Sequence, residues 1–209
     1  MGESLPAKMF LLAFHPVKGR LTSRDELGHL LRAAALAELV LSGRLRDDGG
    51  KAVVAGAVPS DPVLAAVWQE VSESSPRSWS RWVGRGRKEI FAAVRDLLAD
   101  ERVIRVEHAR WLGLVPHTRI TLRDTREARR LAEQVRRALV GTQAPSRVDG
   151  EIRVLAALAG AAQLRVVLSA ADRRRNRARL DQLAEPIAPV AKALRKAITA
   201  KRAAAASSG

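Results

Sequence analysis

Apolar positions recur every three or four residues along most of the chain, and breaks in that rhythm divide it into elements. Leu5 to Phe14 is a short apolar run closed by Pro16 and the turn at Lys18 and Gly19, which predicts a short buried helix. Ser23 and Glu26 have the spacing of a capping box, and Leu27, Leu30, Leu31, Ala34, Ala35 and Leu39 carry a helix to Leu41, ended by Gly43. Leu45 to Val54, broken by Asp48, Gly49 and Gly50, reads as a small hairpin. Asp61 and Pro62 open a helix through Val63, Val67 and Val71. Ser72 to Gly86 reads as an ordered loop with one helical turn, in which Trp79 and Trp82 are packing residues. Ile90, Val94, Leu97 and Leu98 predict a helix over Arg87 to Asp100.

The rhythm then changes. Strands are expected at Val103 to Glu107 and Trp111 to Val115, with a third near Ile120. Asp124 caps a further helix that ends near Gly141. From Asp149 to Arg202 the chain reads as helical, with interruptions at Gly160, Ala170 and Pro186 to Pro189. The expected organisation is one compact, mainly α domain over residues 1–202 with one or two small β-hairpins, and a disordered tail over 203–209.

Composition narrows the chemistry. Of 209 residues, 37 are Lys or Arg and 22 are Asp or Glu, a formal net charge of +15 that favours polyanionic partners such as nucleic acid or acidic lipid headgroups. Without cysteine the chain has no disulfide framework and no thiolate ligand or nucleophile, which fits a reducing, cytoplasmic setting. Residues 1–14 hold one Lys, a short apolar run and no small-residue cleavage site, and no window reaches the ~18 apolar residues of a membrane span. His15, His29, His108 and His117 lack metal-ligand spacing, and no nucleotide-binding, nucleophile or paired-carboxylate motif occurs, so the expectation is a binding protein without cofactor. The heavy use of Arg and Ala suits a GC-rich bacterial genome.

One segment joins charge to hydrocarbon. Trp111, Leu112, Gly113, Leu114 and Val115 are consecutive apolar or small residues flanked by Arg105, Arg110 and Arg119. A half-buried strand alternates, whereas a tip that enters a bilayer need not. The expectation is a projecting, membrane-facing hairpin that inserts Trp111, Leu112, Leu114 and Val115. A strand packed on the body and a homo-oligomer contact are the alternatives.

These features, in this order, resemble the Golgi phosphoprotein 3 family. The likeness is carried by Leu11 to Phe14, the turn at Gly19, Arg32 ahead of Glu38-Leu39-Val40-Leu41, and Gly43-Arg44-Leu45. The helix from Lys88, the hairpin from Val103 and the helices after it continue the match. The resemblance implies a mainly helical peripheral membrane protein on the cytoplasmic face, an adaptor that binds phosphatidylinositol 4-phosphate and presses an apolar hairpin into the bilayer. It implies that Arg32 matches a headgroup-binding Arg of the family's second helix. Lys88, with Arg85 or Arg87 beside it, matches the first of two basic residues three apart, the second falling on Ile90 or Phe91. The family's headgroup Trp falls near Ser23 or Arg24, where Arg24 offers another phosphate donor.

On its own chemistry, Arg32 lies in the apolar stretch Leu30 to Leu36, so it needs a carboxylate partner, with Glu38 within reach, or a cleft open to an anion. Arg85, Arg87 and Lys88 stand where a helix begins, and bound phosphate would relieve their conflict with the positive dipole end. The run Arg173, Arg174, Arg175, Arg177 and Arg179 is either a solvated face or a lipid contact. A winged-helix nucleic-acid binder is the rival reading, since the helix at Arg87 is followed by an Arg-rich hairpin, but an apolar tip suits no groove.

Overall fold

The computed structural model describes residues 4–15, 19–22, 24–111 and 115–207, and of residues 24, 25, 108–111 and 115–117 the backbone alone. The chain runs α1 (Leu5–Leu12), α2 (Arg24–Leu41), β1 (Leu45–Asp48), β2 (Lys51–Val54), α3 (Pro62–Ser72), β3 (Arg77–Ser78), α4 (Trp79–Gly84) and α5 (Arg87–Asp100). It continues through β4 (Ile104–Trp111), β5 (Val115–Leu122), α6 (Arg126–Val140), α7 (Gly150–Ala161), α8 (Ala170–Arg175), α9 (Arg177–Leu183) and α10 (Ala188–Ser207). The fold is mainly α, with two small antiparallel sheets ordered β1-β2-β3 and β4-β5. Among the described residues no helix is long and apolar enough to cross a membrane.

Helix α2 is the axle. Leu27, Leu30, Leu31, Ala33 to Ala37 and Leu39 are all buried, and α1, α3, α4, α5, α7 and α10 pack around them. A helix apolar on every side must be enclosed on every side, and its alanines let the neighbours come close. His29, Arg32 and Glu38 interrupt this surface in its central turns. Glu38 Oε2 accepts from the Leu5 backbone N–H at 2.7 Å, so it satisfies an orphan donor at the start of α1. Burial raises its pKa, with that hydrogen bond opposing.

Two glycines set the approach of α2 to the start of α5. A Cβ at Gly28 would fall 2.6 Å from the Arg87 carbonyl oxygen, so only a glycine allows this crossing. Gly86, at φ +60°, turns the chain from α4 into α5, and a Cβ there would sit 3.1 Å from Arg32 Nη1.

Two expectations are corrected. The strands expected at Val103–Glu107 and near Ile120 are longer: β4 and β5 pair from Ile104↔Leu122 to Trp111↔Val115, and residues 112–114 of the expected strand Trp111–Val115 lie outside the described residues. Pro116 fits because a two-stranded ribbon has a free edge on both sides. The expected break at Gly160 falls one residue before the end of α7 at Ala161, and a Cβ there would come 2.7 Å from Leu180 Cδ2, so it is also a packing glycine. The C-terminal third is helical with breaks where the sequence puts them: residues 162–169 separate α7 from α8, which starts at Ala170, and α10 starts at Ala188. Helix α10 runs on to Ser207, so residues 203–207 of the expected tail are helical, in keeping with the propensity of Ala203 to Ala206.

Candidate functional site

Helix α5 carries opposite charges on its two flanks. On one, Arg87, Lys88, Phe91, Ala92 and Arg95 line a hollow of about 510 Å³, closed by Gly28 of α2, Thr118 and Ile120 of β5, and Lys201 of α10. Four cations surround an apolar floor, and no described lining residue is a carboxylate. Arg95 is already engaged by Asp96, with Nε to Oδ1 at 2.8 Å and Nη2 to Oδ2 at 3.0 Å, while Arg87 and Lys88 are exposed. No side chain caps the first turn of α5, whose free N–H groups and dipole end add to the positive potential beside the hollow.

Arg87 is held from behind. Its Nη1 lies 3.3 Å from Nε2 of the buried His29, one residue after Gly28. Burial first, then the charges of Arg87 and Lys201, push the His29 pKa down from 6.5 to about 4 against the opposing pull of Glu26. At neutral pH the imidazole is therefore uncharged, and Nε2 accepts from the Arg87 guanidinium. Nδ1 then has no hydrogen-bond partner among the described residues.

The other flank of α5 is acidic. Glu89, Ile90, Ala93, Asp96, Leu97 and Asp100 face Pro62, Val63, Ala66, Val67 and Glu70 of α3 across a groove of about 380 Å³, with Arg32 at its back. Arg32, 1% exposed, donates from Nη1 and Nη2 to the two Glu70 carboxylate oxygens at 3.1 and 2.9 Å, and from Nε to the Trp82 carbonyl at 3.2 Å. The Arg85 Nε lies 3.4 Å from Glu70 Oε2. Both guanidiniums approach the Trp82 ring, at 5.9 Å for Arg32 and 5.8 Å for Arg85. The carboxylate partner of Arg32 is thus Glu70 rather than Glu38, because Glu38 is turned to the start of α1.

The structure therefore divides the residues singled out from the sequence. Arg87 and Lys88 meet in the basic hollow. Arg32 and Arg85 meet at Glu70 and Trp82 on the opposite side of the α5 start. Arg24 is the first residue of α2, one turn before Gly28; its side chain lies outside the described residues. Of the expected insertion residues, Leu112 and Leu114 lie outside them entirely, and Trp111 and Val115 are described by backbone alone, as the last rung of the ladder. The hairpin base is fixed: Ile104 and Ile120 are buried, and Thr121 bridges to Arg20. Trp79 and Trp82 are buried, as read; Trp79 Nε1 donates to Asp47 Oδ1.

Sequence reasoning missed Lys201, Arg95, His29 and Glu70. Arg95 follows Lys88 and Phe91 at helical spacing, so the α5 pattern contained it. Lys201 lies in an Ala-rich stretch far along the chain, and only the tertiary approach of α10 to α2 reveals it. The same holds for Glu70, one of several acidic residues that helical spacing alone cannot pair.

The family model described as Golgi phosphoprotein 3 matches residues 5–201. No curated protein matches the chain.

Proposed function

This chain belongs to the Golgi phosphoprotein 3 family, and on that footing we propose that it is a peripheral membrane protein of the cytoplasmic leaflet that binds anionic phosphoinositide headgroups. The reading rests above all on the basic hollow beside the hairpin, where Arg87, Lys88 and Lys201 surround about 510 Å³ with no described carboxylate among the lining residues. A headgroup phosphomonoester is a compact dianion. Arg87 offers it a planar fork of donors, Lys88 a point charge, and the first turn of α5 its free N–H groups. Phe91 and Ile120 give the inositol ring or glycerol backbone an apolar wall.

The ladder of β4 and β5 leads from that hollow to its last rung, Trp111 and Val115, and on this reading Leu112 and Leu114 insert with them. Inserting these side chains would contribute several kcal/mol at about 25 cal/mol per Å², and each nearby Lys or Arg about 1 kcal/mol on an anionic leaflet. Together these give reversible attachment. Arg32 acts on this reading from behind: paired with Glu70 and bonded to the Trp82 carbonyl, it braces the 84–86 turn that delivers Arg87 and Lys88. The protein works by binding, as an adaptor, and not by covalent chemistry.

Liposome sedimentation tests the proposal. The protein should pellet with phosphatidylcholine vesicles containing phosphatidylinositol 4-phosphate and far less with phosphatidylcholine alone. Replacing Trp111 and Leu114 together by Asp should abolish pelleting while the circular dichroism stays unchanged. Equal recovery with both vesicles at low salt would overturn the reading. Tighter binding to duplex DNA that survived the Asp replacements would hand it to nucleic-acid recognition.

A further inference from the structure

We propose that the hollow bounded by Arg173, Arg174, Arg177 and Arg195 is a second anion site, distinct from the one at α5, which takes a phosphomonoester-type dianion. It encloses about 200 Å³ between α8, α9 and α10, over Gly160 and Leu180. Helices α8 and α9 are short and meet at Asn176, whose Nδ2 donates to the Asp172 carbonyl at 2.8 Å. The break folds two Arg-bearing segments over one concavity. Gly160 lets Leu180 and with it α9 settle against α7, so the missing Cβ sets the floor.

The charges there do not balance. Asp181, the one carboxylate among the described lining residues, is already paired with Arg195 at 3.0 Å. Arg202, nearby on α10, is held by Glu26 at 2.6 Å. Among the described residues no ion pair engages Arg173, Arg174 or Arg177. Arg173 is half-buried, and its pKa is pushed down by burial and by Arg202, Arg174 and Arg165 around it. A solvated face keeps its guanidiniums apart in water. Here Arg173 is half-buried beside Arg174 and Arg202, with the exposed Arg174 and Arg177 lining the same hollow, so an anion would exchange mutual repulsion for charge-assisted hydrogen bonds. At roughly 30 Å³ per water, the space of about 200 Å³ has room for a phosphate with a few waters.

The same chemistry is offered by free phosphate and by a phosphorylated lipid headgroup. Isothermal titration of the full chain with inorganic phosphate, against chloride at matched ionic strength, tests the site itself. R173Q/R174Q/R177Q should weaken phosphate binding about tenfold or more, R173K/R174K/R177K should weaken it less because charge survives without the forks, and R87Q/K88Q should leave a binding event intact. The source follows from flotation with phosphatidic acid vesicles in the R87Q/K88Q background. Residual binding that disappears on adding the three Gln replacements identifies a headgroup; phosphate binding without vesicle binding identifies the free ion, and either result supports the site. Unchanged phosphate affinity in R173Q/R174Q/R177Q, or phosphate binding no tighter than chloride, would overturn it.

Discussion

The two flanks of α5 share one helix, and their charged side chains have opposite fates. On the acidic flank Arg32 is enclosed, forked onto Glu70 and bonded to the Trp82 carbonyl, so its charge is spent inside the molecule. On the basic flank Arg87 and Lys88 face solvent, and the only described side chain holding Arg87 is the neutral acceptor His29. A cation's availability is thus set by what the neighbouring helix brings opposite it, and not by its residue type or by the apolar run in which it stands. Arg32 has the stronger sequence signature, whereas Arg87 and Lys88 have the free chemistry.

That contrast can be broken at Glu70 first. E70A leaves a buried guanidinium without its carboxylate and should cost about 3 kcal/mol, which lowers Tm by roughly 6–12 °C in a chain of this size. Calorimetry checks it, and a loss below about 1 kcal/mol would mean that Arg32 is not internally committed. Next comes the open flank. R87Q/K88Q should leave Tm nearly unchanged yet reduce partition onto phosphatidylinositol 4-phosphate vesicles about thirtyfold, at about 1 kcal/mol per cation. A stability loss in place of a binding loss would make the two flanks alike.

The third test is pH. The folded His29 pKa, about 4, lies below the ordinary 6.5, so in that interval the unfolded chain binds more protons. The His29 contribution is therefore complete above pH 6.5 and is lost as pH falls toward 4. Denaturant melts of H29Q against the parent should show a flatter pH dependence across that window. Identical slopes would separate Arg87 from the imidazole. The smallest effect is expected at Arg85, half-exposed at the edge of the acidic flank: R85Q should change stability by no more than about 0.5 kcal/mol, read in the same melts.

Much of the scaffold for this contrast is legible in the sequence. Ile90, Val94 and Leu98 define α5 because their spacing belongs to that helix alone, and Asp61 opens α3 because its cap is local, accepting from the Leu64 N–H at 2.9 Å. The site is legible only in part. Lys88 and Arg87 are exposed by their place at a helix start, but Glu70, His29 and Lys201 enter through packing between elements distant in the chain. The sequence predicts shorter strands because His108, Arg110 and Pro116 interrupt the apolar alternation. In a two-stranded ribbon with two free edges, hydrogen bonding rather than burial sets the length.

Gly28 and Gly86 bear no charge, yet the missing carbons there govern where the cations stand. An alanine at residue 28 would press on the Arg87 carbonyl and lever the start of α5 outward, and one at residue 86 would crowd the Arg32 guanidinium. Any redesign of the basic hollow must treat this pair of hydrogens as the hinge pins of the cradle, because altering the arginines while disturbing either pin would confound chemistry with alignment.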